Sequence, residues 1–178
     1  MNRQQLEYAI REVGRRLKLD YFYVIGSAAV FASIPDAADA AVTGTRDVDV
    51  IPSPADTSKI GVLADQIDFV LGEGSDFDNE NGFYIQGVDN STPAFAPKNW
   101  QQRVIPIRTG GYIGLCMEIH DLALSKYGAG REKDRDFTRL LAKDGHMQKQ
   151  ILLERLEDVE ADQAKHALIR ERINSDCG

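Results

Sequence analysis

Asp47 and Asp49 stand one residue apart in Thr45-Arg46-Asp47-Val48-Asp49-Val50-Ile51, an apolar-flanked run closed by Pro52. In an extended strand successive side chains point to opposite faces, so the two carboxylates share one face while Val48 and Val50 share the other, toward a core. Unpaired like charges so close repel, and a hard divalent cation with oxygen ligands is the usual way to hold them together. Upstream, the apolar run Tyr21–Ile25 stops at Gly26-Ser27 and gives way to an Ala-rich stretch. A strand-to-helix turn of this type brings free N–H groups, a hydroxyl and a residue without a side chain to one point, the outline of an anion site. The chemistry implied is a metal ion beside a phosphate. Each pattern by itself also serves purely geometric turns and strands; their succession is the signal.

The elements that must position these residues follow from periodicity. Leu6, Ala9, Ile10, Val13 and Leu17 fall on one face of an amphipathic N-terminal helix, with Arg11, Arg15, Arg16 and Lys18 on its solvated side. Tyr21–Ile25 suits a central strand, Ala28 to Ser33 a helix stopped by Pro35, and 36–44 a loop. After the Asp-x-Asp strand, Ile60, Leu63, Ile67, Val70 and Leu71 mark a helix running from Ala55 into a 72–81 loop. Asp76, Asp78 and Glu80 in that loop lack the remaining ligand positions of a calcium loop. Phe83 to Val88 reads as a strand, and Val104 to Ile107 with Tyr112 to Met117 as a hairpin across Gly110-Gly111, Pro106 placing its first strand at an edge. A helix capped by Asp121, a Gly128-Ala129-Gly130 break, a second helix burying Phe137, Leu140 and Leu141, and a charged helical segment over 148–173 complete the chain. The pattern predicts an α/β (α+β) fold: a mixed β-sheet with helices mainly on one side. Residues 1–143 form the core, and 144–178 a helical extension packed on the core or on a partner.

With 178 residues and 43% hydrophobic content the chain is sized for a single domain with a real core. A net charge of -7 argues against a broad basic surface for nucleic acid and leaves room only for local contacts. Cys116 and Cys177 form no ligand pattern, which points to a reducing compartment. His120 has no second His or Cys at ligand spacing and reads as a cap neighbour or surface residue. No apolar run approaches the roughly 20 residues of a membrane span, and the N-terminus lacks an apolar signal segment. A cytoplasmic protein without membrane contact is expected.

Together, Gly26-Ser27, Thr45-Arg46-Asp47-Val48-Asp49, His120-Asp121-Leu122-Ala123-Leu124-Ser125-Lys126 and Gly130-Arg131-Glu132-Lys133-Asp134 resemble the motifs of the polymerase-β-type nucleotidyltransferase superfamily. The likeness, over about Tyr23 to Leu141, is to small bacterial members related to AbiEii-type toxins. It implies a nucleotidyltransferase fold in which Gly26 and Ser27 contact a nucleoside triphosphate, Asp47 and Asp49 bind magnesium, and Lys126 lies near the nucleotide. Arg131 and Lys133 are suited to neutralise the triphosphate. It further implies transfer of a nucleoside monophosphate to an RNA such as tRNA, or to a protein, in a toxin or phage-defence setting with an antitoxin partner. Two departures bear on activity. Residues 28–46, 19 in all, separate Ser27 from Asp47, longer than the superfamily's spacing. The usual third carboxylate is not obvious: Asp89, at the end of the next strand, is the best placed candidate, yet strand parity groups it with Phe83 and Ile85 while Gln86 shares the opposite face with Tyr84, and Asp68 on a helix and Glu118 at a strand end are no better. Without a third carboxylate the same fold serves as a catalytically inactive nucleotide- or partner-binding module, with 148–173 as the partner surface.

Overall fold

Asn2 caps the first helix, α1 (Arg3–Leu17), through a reciprocal pair of hydrogen bonds with Gln5, and Lys18 ends it in the left-handed region at φ 55°. The computed structural model describes all residues except Ala55, where the second long helix was expected to start, and the side chains of Ala40 and Ala41. Leu6, Ile10 and Val13 of α1 are fully buried, as their spacing requires.

Five strands form one mixed sheet in the order β3-β2-β1-β5-β4. They are β1 (Tyr21–Ile25), β2 (Asp47–Pro52), β3 (Tyr84–Gly87), β4 (Ile105–Thr109) and β5 (Tyr112–Cys116). β2 runs antiparallel to the central β1, with Ile25 opposite Asp49. β3 runs parallel to β2, placing Tyr84 beside Asp47 and Gln86 beside Asp49. β4 and β5 form the expected hairpin, turning through Gly110 and Gly111 at φ 58° and 87°, and the proline-bearing β4 lies at the edge. α1 and α4 (Ile60–Leu71) cover the face that carries Phe22, Val24, Val48 and Val50, the buried core side of the alternation. The opposite face is crossed by the segment between β3 and β4, whose Trp100 meets the Tyr23 ring edge-on at 5.3 Å.

The remaining helices gather at the end where β1 stops: α2 (Val30–Ser33), α6 (Ile119–Ala129), α7 (Glu132–Lys143), α8 (Lys149–Leu156) and α9 (Gln163–Asp176). The architecture is a mixed α/β fold with helices around a central sheet and a C-terminal helical pair. No helix among the described residues is long and apolar enough to cross a membrane.

Four local expectations are revised. The 36–44 stretch contains a one-turn helix, α3 (Ala40–Thr43), and 72–81 holds α5 (Asp76–Asn81), capped by Ser75 and closed by Gly82 at φ 71°. The cap of α6 is Glu118, because the helix begins two residues before Asp121. Asp121 is instead fully buried and paired with Arg103 at 2.8 Å and Arg155 at 3.1 Å. Glu118 accepts from Arg155 as well, and His120, itself buried, bridges Glu118 and the Gln148 N–H. These contacts bind α8 to the start of α6. The 148–173 segment is two helices, whose Leu152, Leu156, Ile169 and Ile173 are buried against α6 and α7.

Candidate functional site

β1 delivers Gly26 to the sheet end at φ 67°, ψ −170°, a conformation that L side chains rarely adopt. A Cβ there would lie 2.0 Å from Asp49 Oδ2. Only glycine lets the Asp49 carboxylate rest against this turn. Ser27 then opens a single 3-10 turn, Ser27–Ala29, directly after the glycine.

Asp47 and Asp49 occupy the same face of β2, half-buried, while Val48 and Val50 are in the core. The Thr45 hydroxyl donates to Asp47 Oδ1 and fixes that carboxylate. Burial, and after it the Asp47 charge, pushes the Asp49 carboxyl up to about 6. Lys126, Lys133 and Arg131 act against that rise.

The cationic side of the site comes from α6 and the first turn of α7. Lys126 Nζ donates to Ser27 Oγ at 2.9 Å and to Asp134 Oδ1 at 3.1 Å, and sits 4.7 Å above the Phe137 ring. Arg131 reaches the same Asp134 with two hydrogen bonds of 2.6 and 3.2 Å. Asp134 is fully buried, and its two cationic partners hold it below the usual carboxylate range against the opposing effect of burial. Burial draws the Lys126 ammonium below its ordinary value, with Asp134 opposing. Lys133 lines the cleft and has no ion-pair partner among the described residues.

The C-terminal helices brace this arrangement. Arg172 donates to the Tyr127 carbonyl, Lys165 donates to the Gly128 carbonyl at 3.1 Å, and Asp176 accepts from the Tyr127 hydroxyl at 3.1 Å. The last turn of α6, which carries Lys126, is thereby capped from α9.

The structure brings Gly26, Ser27, Asp47, Asp49, Lys126, Arg131 and Lys133 to one sheet end; it leaves Asp89 out. Asp89 lies two residues past Gly87, at the opposite end of β3 from Tyr84, the neighbour of Asp47. Its exposed carboxylate accepts from the Ser91 N–H at 2.8 Å and the Ser91 hydroxyl at 2.5 Å, which hold it below the usual range. Strand parity reaches residue 89 only where the strand itself does, and β3 ends at Gly87. The chain turns there, so Asp89 is a turn residue. Beside Asp49 on β3 stands the amide of Gln86.

Two site residues escaped the sequence reading. Asp134 lay within a run of alternating charges that resembles a solvated helix face; its signal was its position three residues after Arg131, inside the first turn of α7. Thr45 belonged to the quoted motif, but its bond to Asp47 is visible only in three dimensions.

A cleft of about 430 Å³ opens on the Asp47 side, lined by Ser27, Thr45, Asp47, Tyr84, Lys126 and Lys133 among others. Among the described residues no cluster of three or more His, Cys, Asp or Glu forms a cage for a metal. Two carboxylates on one face nevertheless suit magnesium, which keeps several waters and is held by one or two carboxylates together with substrate phosphates. Zinc and calcium sites need more protein ligands than are present.

Comparison with known families agrees with this geometry. Residues 4–175 match the model of a family described as "Nucleotidyltransferase of unknown function (DUF6036)". No curated protein and no solved structure matches. The match supports the nucleotidyltransferase resemblance at family level and singles out no AbiEii-type relative. Spanning nearly the whole chain, it shows that the protein belongs to the DUF6036 family of nucleotidyltransferases.

Proposed function

We propose that the protein is a magnesium-dependent nucleotidyltransferase that takes a nucleoside monophosphate from a nucleoside triphosphate and passes it to a macromolecular acceptor. The observation that carries this reading is the convergence of Asp47 with Asp49, whose carboxylate rests against the side-chain-free turn at Gly26, and the Ser27–Lys126 pair lining the same site. The family match supports the reaction class. Asp47 and Asp49 would hold magnesium, which when bound supplies charge stabilisation at the reacting phosphate oxygens. The turn at Gly26-Ser27 offers polar contacts to the phosphates, Lys126 and Lys133 offset their charge, and Asp134 with Arg131 keeps Lys126 aimed at Ser27. Tyr84 forms a wall of the cleft. A cytoplasmic role as a toxin or defence component, acting on RNA such as tRNA or on protein and restrained by an antitoxin, belongs to the same reading.

A second reading, a nucleotide-binding module without turnover, is favoured by one observation: the residue beside Asp49 on β3 is Gln86, not a third carboxylate. Calorimetric titration of the four ribonucleoside triphosphates, with and without magnesium, tests the shared part. Magnesium-dependent binding that disappears in Asp47→Asn/Asp49→Asn is expected, and binding indifferent to both would refute the site. Pyrophosphate release in the presence of a cell extract then separates the enzyme from the silent module.

A further inference from the structure

The Asp pair lies on a partition between two cavities. Asp47, Ser27 and Lys133 face the cleft of about 430 Å³; Asp49, Gly26 and Arg131 face a second cavity of about 110 Å³, which Thr92 and Pro93 also line; Lys126 lines both. Resting on the nucleotidyl-transfer reading, this division has a chemical meaning. In transfer at the α-phosphorus the attacking and leaving oxygens lie roughly in line, on opposite sides of the phosphorus. A nucleotide needs a pocket of the ordinary ligand size, about 300 Å³ or more, which the larger cleft provides together with Lys133, a cation with no ion-pair partner among the described residues, for the departing pyrophosphate.

We propose that the smaller cavity admits the attacking group, and that this group is the side-chain hydroxyl of a polypeptide. Its volume falls well below that of a pocket that encloses a nucleoside, while the tip of one side chain fits. Its floor is apolar, with Ile25, Met117 and Leu122, and Ser125 is a polar group on its wall. The two cations that line it, Lys126 and Arg131, are both engaged by Asp134. One carboxylate offsets the two only in part, and the Asp49 carboxylate on the cavity wall cancels the remainder; a polynucleotide acceptor depends on an excess of lysines and arginines to replace its counterions, which this cavity lacks, whereas a neutral polypeptide segment has no such need. In the step itself, the acceptor oxygen bonds to the α-phosphorus and the bond from the α-phosphorus to the bridging oxygen of the β-phosphate breaks. Pyrophosphate leaves with the electron pair, and the hydroxyl proton passes to water.

Ala129 and Thr92 are exposed residues on the rim, so Ala129→Leu and Thr92→Trp narrow the cavity from positions that do not support the core. Wild type and both variants are compared in magnesium-nucleotide titration, and in labelling of a cell extract with α-phosphate-labelled nucleoside triphosphates. Circular dichroism melts verify that each variant is folded. The expected result is label that is protease-sensitive and ribonuclease-resistant, reduced about tenfold or more in folded variants whose nucleotide affinity is unchanged. Label in RNA or in a small molecule, no label despite bound nucleotide, or undiminished labelling by both variants overturns the proposal. Absence of magnesium-nucleotide binding to wild type would instead be a failure of the underlying site.

Discussion

Replacing Gly26 by alanine confronts the site with two separable costs. The first is conformational: φ 67°, ψ −170° is a region kept essentially for glycine, and an L residue held there is penalised by about 1–3 kcal/mol. The second is steric. The new Cβ would sit 2.0 Å from Asp49 Oδ2, well inside contact distance, so the carboxylate must swing away by more than about 1 Å. Gly74, at φ 77° with nothing within 4 Å of its ideal Cβ, carries a positive-φ cost without the steric one. Urea denaturation of both variants therefore compares the two situations: Gly74→Ala should lose about 1–2 kcal/mol, and Gly26→Ala about 1–3 kcal/mol for its backbone plus about 1–3 kcal/mol for the overpacking. Misplacing a site group by about 1 Å costs on the order of a hundredfold, so magnesium-dependent nucleotide affinity should collapse in Gly26→Ala and survive in Gly74→Ala. Equal stability losses together with equal affinities would refute the claim that Gly26 is empty for the sake of Asp49.

Asp49 also makes a pH prediction. Its folded value, raised to about 6 from the usual 3.8, lies above that of the unfolded chain, so folding takes up a proton between these values and stability falls as pH rises through that window. Taken at face value the rise corresponds to about 3 kcal/mol; Asp49→Asn should recover on the order of 1–3 kcal/mol at pH 7, and nothing below about pH 4, in denaturation curves compared across pH. The same variant should lose magnesium binding, and in wild type magnesium affinity should weaken as pH drops through about 6. Asp134→Asn leaves the buried Lys126 facing an uncharged amide, and should destabilise by about 3–5 kcal/mol in chemical denaturation; a neutral effect would mean that Lys126 is held by something else. Arg172→Met removes a charged donor from the Tyr127 carbonyl and should cost about 1.5–3 kcal/mol, with nucleotide affinity falling in step and Arg172→Lys restoring part of both.

Local patterns in the chain were sufficient for much of the fold. Alternation placed Val48 and Val50 in the core and Asp47 with Asp49 on the other face, since a period of two needs no tertiary information. The helical stripe of α1, the Gly110-Gly111 hairpin and the edge position of the proline strand were legible for the same reason. What depends on distant partners was not. The charge run from Arg131 to Asp136 divides into a buried Asp134 and exposed Arg135 and Asp136 only because Lys126 lies across from it on α6. Asp121 resembled a cap, yet two arginines far away in sequence, Arg103 and Arg155, draw it into the interior. Asp89 was assigned by counting along a strand that stops at Gly87, and strand ends are set by pairing and turn bonds, here those of Ser91. The pattern of 148–173 suits packing on the core or on a partner equally, and only the fold shows Leu152, Leu156, Ile169 and Ile173 buried against α6 and α7.

The central claim is that Asp47 and Asp49 hold a divalent ion against the phosphates of a nucleotide at the Gly26 turn. Its most direct test is a crystal grown with manganese and a nucleoside triphosphate analogue that resists cleavage at the α-phosphate, with data collected for anomalous scattering. The account predicts an anomalous peak in contact with both carboxylates and a phosphate oxygen, with the triphosphate in the cleft toward Lys126 and Lys133. A nucleotide bound elsewhere, or one bound in this cleft with no metal on the Asp pair, would contradict it.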